Sequence, residues 1–448
     1  MNDYTIKRQK SIQYLGIVID ECLTWLPHLD YIKSKVCKIM NNLLRLPGLP
    51  KPVLKELYKR AIERTIVYAC PAWWYPPTVK MRNKTNSIQR IALLTMTKCY
   101  KTASTAALQV IAGIMPLHLK LDMESIIQRS KRGWTDFKFE DLEFTREQTE
   151  FPIHKWHSHP AHIQVFGWDN KPPINKGLEI YTDGLKSEDG TGAGFCSFIN
   201  GVCHEQFMFQ LDKTSTVYQA ETLALKSALL WLKSHHSPAH IYSDSQAVLK
   251  SINKYDICNQ NIIAINKLLA YTKAKLHWIR GHQGSIGDEK ADELAKQGIY
   301  SNTHLECKIP MSYIIKMTKI KVSNIWQRNW NNEETGRHTF MLLPNVSEKR
   351  HLSDFFLNQI ITNHGAFPIY INRFNLKDTT CKCQCGQESA DALHMITECP
   401  SVSTKRREIF NQVVTLETLK RLIKNDKGRS LLANFMEYIY HNESELYL

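Results

Sequence analysis

YTDGLKSEDGTGAGF, residues 181–195, is the stretch that decides the fold. It joins two short β-type segments, and the glycines at 190, 192 and 194 mark the turn and the start of the second segment. Asp183 stands at the end of the first segment and is followed directly by glycine. The stretch therefore predicts an antiparallel hairpin with a carboxylate at a strand end.

Outward from this hairpin, the pattern continues as an α/β domain. A third strand is predicted at 202–211, and a helix with one apolar face at 216–235. The strand HIYSD, helices from about 245 and 259, the strand KLHWI and a helix from about 287 follow. The order β-β-β-α-β-α-α-β-α indicates a mixed five-stranded sheet covered by helices.

Four acidic residues fall at strand ends or near helix starts in this domain: Asp183, Glu221, Asp244 and Asp292. Taken singly, each is more typical of a solvated or capping residue. Together, at neighbouring strand ends and on packed helices, they form a hard-oxygen set suited to Mg²⁺. Two such ions can activate water and stabilise the leaving oxygen of a phosphodiester.

Four ordered segments resemble the type-1 ribonuclease H family: YTDGLKSEDGTGAGF, YQAETLALKSAL (218–229), IYSDSQAVLKSI (241–252) and HWIRGHQGSIGDEKADELAK (277–296). The resemblance implies a ribonuclease H domain over 176–300 that cuts the RNA strand of RNA/DNA hybrids. It assigns the Mg²⁺ ligands, with Mn²⁺ as a substitute, to Asp183, Glu221, Asp244 and Asp292.

The fourth ligand and the loop histidine follow from the same resemblance. In the family the last ligand lies ten residues after the loop histidine, which selects Asp292 after His282 and leaves Asp288 as an acidic neighbour. His282 is implied in proton transfer or product release, a role suited to a side chain that titrates near neutrality. The alternative for His282 is an ordinary exposed loop residue.

Some positions depart from the family pattern. Leu185 replaces a common serine and Arg280 a common proline, but neither position supplies a ligand. Residues 254–274 have room for one helix before the next strand, so the basic handle with which some members hold substrate is not expected. We therefore expect other parts of the chain to contribute to the grip on a hybrid.

Charge is distributed unevenly along the 448 residues, a length that suggests two to four folding units. Residues 1–135 carry 22 Lys and Arg against 8 Asp and Glu, whereas residues 178–300 carry 12 against 13. The basic N-terminal region is suited to nucleic-acid phosphates, although a solvated basic surface is an equal alternative.

The N-terminal region, 1–135, is mostly helical in pattern after the β-type run IQYLGIVID. Residues 14–36, YACPAWWYPP (68–77) and 88–121 resemble the thumb and connection of a non-LTR retrotransposon reverse transcriptase. No adjacent Asp-Asp pair occurs, so polymerase activity is not expected. Trp73 and Trp74 are interpreted as core residues in preference to base-stacking ones.

The last region, 301–448, is interpreted as a helical tail with a cysteine cluster at 381–399, and 136–175 as a linker. In CKCQCGQESADALHMITEC, three thiolates and an imidazole form the soft set that Zn²⁺ binds tetrahedrally. The pattern resembles the Cys/Cys/His/Cys knuckle of such retroelement proteins, and the ligands it suggests are Cys383, Cys385, His394 and Cys399. Cys381 is an alternative to Cys383, and unligated thiols are an alternative to zinc.

These observations favour the C-terminal part of a retrotransposon polyprotein that acts on RNA/DNA hybrids and other nucleic acid. The competing hypotheses are a catalytically inactive or domesticated nucleic-acid-binding remnant and a dedicated zinc-dependent binding protein. Apolar runs are too short for a membrane span, and the start lacks a secretory signal. An intracellular location, nuclear or cytoplasmic, is expected, with reduced cysteines.

Overall fold

The chain divides into two compact units in the computed structural model. The α/β unit comprises Arg129–Thr318, and the helical unit combines Met1–Gln128 with Lys319–Leu448. The structure describes residues 8–44, 51–133, 135–151, 164–174, 176–254, 259–281, 284–376 and 381–447.

Strands and helices occur in both units. Within the described residues the strands are β1 (Ser11–Tyr14), β2 (Ile17–Asp20), β3 (Phe137–Phe139), β4 (Leu142–Phe144), β5 (Thr149–Glu150), β6 (Trp168–Asp169), β7 (Leu178–Lys186), β8 (Thr191–Ile199), β9 (Val202–Leu211), β10 (Ala239–Ser243), β11 (Ala274–Trp278) and β12 (Ile309–Pro310). The α-helices are α1 (Leu26–Leu44), α2 (Lys51–Leu57), α3 (Glu63–Val67), α4 (Cys70–Trp73), α5 (Val79–Thr97), α6 (Thr105–Ala112), α7 (Leu117–Lys131), α8 (Val217–His235), α9 (Gln246–Ile252), α10 (Gln260–Tyr271), α11 (Ile286–Gly298), α12 (Met311–Asn332), α13 (Arg337–Leu342), α14 (Phe355–Thr362), α15 (Pro368–Arg373), α16 (Ser403–Phe410), α17 (Leu416–Lys424), α18 (Asp426–His441) and α19 (Glu443–Leu446). Single π-helical turns lie at Tyr58–Ile62 and His394–Glu398, and a 3₁₀ turn at Pro400–Val402.

A mixed sheet with the spatial order β6-β11-β10-β7-β8-β9 forms the centre of the α/β unit. The hairpin predicted from the deciding stretch is β7 and β8, which pair antiparallel, and β9 continues the meander. On the other side β10 runs parallel to both β7 and β11. The α/β class, the five predicted strands and the order of the helices are confirmed, and the two-residue strand β6 extends the edge.

Helices cover both faces of this sheet. Buried residues of α8 and α10, such as Leu225 and Ile265, pack with Ile180 and Phe195 of the sheet in one core cluster. On the opposite face, Leu294 of α11 belongs to a second cluster of buried residues. Because both faces are covered, the central strands β7, β8 and β10 are buried along most of their length.

The stretch predicted as a linker is partly structured. Within 136–175, β3 and β4 form a hairpin and β5 pairs with β12. Phe137 and Phe139 of the hairpin are buried, which explains why this segment does not behave as a polar connection. Residues 152–163 and 175 lie outside the described residues.

The helical unit is built from both ends of the chain. Lys55 Nζ donates to the carbonyl of Glu348 at 2.7 Å, and Leu352 N donates to the carbonyl of Ile111 at 3.0 Å. These hydrogen bonds join residues more than two hundred positions apart, which local sequence patterns do not reveal. The boundaries at 135, 175 and 300 stay predictions.

The two adjacent tryptophans of the helical unit are core residues, as predicted. Trp73 is 0% and Trp74 1% exposed, and Trp74 Nε1 donates to Asp122 Oδ1 at 2.8 Å. They are therefore unavailable for stacking on bases. Among the residues that the structure describes, no helix combines the length and apolar character needed to span a membrane.

Candidate active site

Three of the four predicted carboxylates converge at one edge of the sheet. Asp183 lies on β7, Glu221 on the second turn of α8, and Asp244 directly after β10. Thr182 pairs with Ser243 in the parallel register, so the two aspartates follow as neighbours. One carboxylate oxygen from each of the three acids lies within 4.8 Å of the other two.

Two glycines allow this convergence. A Cβ on Gly184 would lie 2.3 Å from the backbone nitrogen of Glu221, so a larger residue would push β7 away from α8. A Cβ on Gly281 would lie 2.6 Å from Asp244 Oδ2. Trp278 Nε1 donates to the carbonyl of Asp244 at 3.0 Å and holds that backbone in place. The sequence analysis did not single out these three residues, although each glycine sits beside a motif acid or the loop histidine.

Burial and mutual repulsion raise the pKa values of the clustered carboxylates. Burial, followed by the charges of Asp244 and Asp292, raises the pKa of Asp183 to about 7. Burial and the charges of Asp183 and Asp244 raise the pKa of Glu221 well above its ordinary value. Glu221 Oε2 is buried without a hydrogen-bond partner among the described residues. A divalent cation would relieve the repulsion and satisfy this oxygen, so the donor set fits a hard metal ion.

Asp292 stands apart from the three-carboxylate cluster. It lies on α11, where its Oδ2 accepts from Lys296 Nζ at 2.5 Å. Its charge nevertheless raises the pKa of Asp183, which places it within electrostatic range of the cluster. Asp288, its acidic neighbour, is buried on the first turn of the same helix. His282 lies outside the described residues.

Within the α/β unit, a polar contact from the segment that precedes β7 positions α8. Glu150 of β5 accepts from Gln219 Nε2 at 2.8 Å and from Asn259 Nδ2 at 2.8 Å. Gln219, two residues before Glu221, also forms the capping box of α8 with Thr216. The sequence analysis missed Glu150 because it falls in the stretch interpreted as a linker.

The raised pKa of Asp183 predicts a pH-dependent effect of Asp183→Asn on stability in the absence of Mg²⁺. A carboxyl whose pKa rises from 3.8 to about 7 on folding contributes stability below the unfolded value, and loses it as the pH rises through the folded value. Asparagine never ionises, so the gain in the free energy of unfolding that the substitution gives should grow between about pH 4 and pH 7, to roughly 4 kcal/mol.

Melting curves of the two proteins from pH 4 to pH 8 test this dependence. Asp189→Asn is a matched control, because Asp189 is an exposed residue of the turn between β7 and β8. Its effect on the melting temperature should not follow the same curve. If Asp183→Asn raised the melting temperature equally at pH 5 and pH 8, the raised pKa assigned to Asp183 would be contradicted.

The cysteine cluster of the helical unit also converges. Cys383, Cys385, His394 and Cys399 each place one ligand atom within 4.8 Å of the others. Cys383 Sγ and Cys399 Sγ are 3.6 Å apart, and Cys385 Sγ is 3.3 Å from His394 Nε2. Cys381 is not part of this group. Three sulfurs and one imidazole at these separations fit a tetrahedral Zn²⁺ site.

The mixed sheet and its carboxylate cluster together define a ribonuclease H-type domain. The family model described as RNase H matches residues 175–300. The ribonuclease H of Orientia tsutsugamushi (strain Boryong) is 31% identical over 137 residues, which cover 27% of this chain and 81% of that protein. The chain belongs to the ribonuclease H family through this segment.

Retroelement proteins match the same region. A retrovirus-related Pol polyprotein from the type-1 retrotransposable element R1 4 of Nasonia vitripennis is 29% identical over 133 residues. The match covers 29% of this chain and 34% of that polyprotein, so the chain spans about a third of this relative's length. The solved RNase H1 of Halobacterium salinarum NRC-1 aligns with 28% of this chain and 97% of its own, at 20% identity and a TM-score of 0.24.

Proposed function

We propose that this chain hydrolyses the RNA strand of RNA/DNA hybrids endonucleolytically and is the C-terminal part of a retrotransposon polyprotein. The convergence of Asp183, Glu221 and Asp244 within the family segment carries the proposal. The likeness to the R1 polyprotein supports the retroelement context. Cleavage is expected to leave a 3′-hydroxyl and a 5′-phosphate.

Asp183, Glu221 and Asp244 would hold two Mg²⁺ ions, or Mn²⁺ in their place, with Asp292 as the fourth carboxylate. Bound ions would supply an activated water and stabilise the leaving oxygen of the phosphodiester. Asp292 lies in a contact with Lys296, and Lys296 is an exposed side chain that can release it. Burial of Glu221 keeps water from competing for its oxygens.

Proton movement is assigned to the loop after β11. His282 would donate or accept the proton that accompanies cleavage, or help the product to leave, because imidazole titrates near neutral pH. Arg280, two residues earlier, is exposed.

Incubation of the full chain with a hybrid that carries labelled RNA tests the function. With Mg²⁺ the RNA strand should be cut internally, whereas the DNA strand and single-stranded RNA of the same sequence should stay intact. Without a divalent ion no cleavage is expected. Cleavage that persists without metal, or no cleavage with Mg²⁺ or Mn²⁺, would favour the alternative of a catalytically inactive nucleic-acid-binding remnant.

We propose a structural Zn²⁺ site formed by Cys383, Cys385, His394 and Cys399. Cys383 and Cys399 are fully buried, which suits a closed site without an open position for catalysis. Burial lowers the pKa of His394, so this imidazole is neutral and able to donate a lone pair at physiological pH. The site would stabilise the helical unit, whose surface is a candidate for contacts with other nucleic acid.

A further inference from the structure

A polar groove in the helical unit has a basic lining that neither metal site explains. It encloses about 890 Å³ between the segment 342–352 and α17, and extends to the start of α18. Its cationic lining residues are Lys349, Arg350, Lys420, Arg421, Lys424 and Arg429. Glu417 is the one acidic lining residue among those described, and it is 2.9 Å from Lys420 Nζ. Arg429 pairs with Asp426, so the positive excess of the groove rests on Lys349, Arg350, Arg421 and Lys424.

The amphipathic character of α17 produces one wall. Leu419, Leu422 and Ile423 are buried. Arg421 and Lys424 are exposed, and Arg421 Nη2 donates to the neutral Gln412 Oε1 at 3.2 Å. Because the apolar face anchors the helix, the basic face is held in a fixed direction along the groove.

The opposite wall contains a fixed guanidinium. Arg350 donates to the carbonyls of Val110 at 3.1 Å and Asn345 at 2.8 Å, so its position is set by backbone. These partners are neutral oxygens, and burial lowers the pKa of Arg350. Lys349 beside it is exposed, with no carboxylate within ion-pair distance in the described part of the chain. An anion that enters the groove can form strong, charge-assisted hydrogen bonds with a cation whose position is already fixed.

We propose that this groove binds the phosphodiester backbone of a single-stranded nucleic acid without regard to its sequence. A repeating anion can meet several of the cations at once, whereas a single carboxylate or phosphate meets one or two. Ser347 and Thr418 add hydroxyl donors for phosphate oxygens. The inference goes beyond the hydrolysis proposed above, because the groove belongs to the helical unit and the carboxylates to the α/β unit.

Substitution of three exposed cations, Lys349→Gln, Arg421→Gln and Lys424→Gln, tests the groove in the full chain. Binding of labelled single-stranded RNA and DNA is measured by fluorescence polarisation over a range of salt. Affinity should fall by at least about tenfold, and the slope of log K against log salt should lose about 2, because each single-strand phosphate contact contributes about 0.7. Binding to either oligonucleotide supports the proposal, and a preference for RNA would indicate contacts with the 2′-hydroxyl.

The matched control removes three exposed cations of the same unit that neither line the groove nor fall within residues 1–135: Lys319→Gln, Arg328→Gln and Arg373→Gln. Its affinity should change by less than about twofold, since distant exposed charges are largely screened. Equal losses in both triple variants would overturn the proposal, as would tighter binding to anionic phosphatidylserine vesicles than to either oligonucleotide. Melting curves check that both variants are folded.

Cleavage of an RNA/DNA hybrid is also measured with the same triple variant, so that failure of the groove proposal can be told apart from failure of the proposed hydrolysis. Single-stranded oligonucleotides are not hydrolysis substrates, so their binding is measured without cleavage, and the part that the three substitutions remove reports on the groove. A chain that cleaves hybrid but binds single strands equally well with and without the three cations refutes the groove only. A chain that binds single strands through the groove but never cleaves hybrid refutes the hydrolysis only.

Discussion

Asp183→Asn should lower the rate of hybrid hydrolysis at least about 10³-fold, which corresponds to roughly 4 kcal/mol of lost transition-state stabilisation. Asp183 is central to the cluster, because its pKa responds to the charges of both Asp244 and Asp292. Asparagine keeps the shape of the side chain but removes the charge that would hold the metal ions. We therefore expect the loss to appear in the rate and in metal affinity, while the fold is preserved.

Two measurements together test this result. The initial rate of RNA cleavage is compared with Asp189→Asn, which makes the same charge change at an exposed turn. Mg²⁺ should raise the melting temperature of the unchanged protein and of Asp189→Asn, but much less that of Asp183→Asn. Full activity of Asp183→Asn, or an equal loss of activity in a folded Asp189→Asn, would refute the assigned role.

Loss of the zinc ligand set should have the largest effect on stability. Zinc binding supplies on the order of 10 kcal/mol in small zinc domains, so Cys399→Ser should unfold much of the surrounding helical unit. In the chain without zinc, the buried sulfurs of Cys383 and Cys399 would lie 3.6 Å apart with no cation between them. The expected observation is a lower-temperature unfolding transition together with loss of bound metal.

Elemental analysis and melting curves check the zinc prediction. The purified chain should contain one zinc per molecule, and Cys399→Ser should contain little. Cys22→Ser is the control, because Cys22 is an exposed free thiol of the same unit. Cys381→Ser should retain zinc, which would distinguish Cys383 from Cys381 as the first ligand. A metal-free chain with unchanged stability would contradict the site.

The sequence could predict the sheet because its signals are local. The hairpin at 181–195 and the helix starts are set by neighbouring residues. Asp183 and Asp244 meet because β7 and β10 are adjacent in the sheet, and Glu221 joins them because α8 packs closely on β7 at Gly184. The position of Asp292 could not be read in the same way. Its side chain accepts from Lys296, one turn later on α11, and is not part of the three-carboxylate cluster.

Other features rest on contacts that have no local signature. The strand β6 is two residues long, and its pairing with β11 requires residues more than a hundred positions away. The role of Glu150 depends on Gln219 and Asn259, which lie far along the chain. The basic groove likewise forms only when residues 342–352 and α17 come together. Such features are visible in three dimensions and hidden in the linear order.

The assembly of the helical unit from both flanks has a consequence for synthesis on the ribosome. Asn358 Nδ2 donates to the carbonyl of Thr97 at 2.5 Å, so the core around α5 includes side chains that are translated much later. At roughly 5–20 residues per second, about 10–40 s pass between the emergence of the two halves. During that interval the α/β unit, which is continuous in sequence, can complete its own folding. Residues 29–121 contain a buried core cluster of their own, whereas polar groups such as the carbonyl of Thr97 gain their partners only when the later half emerges.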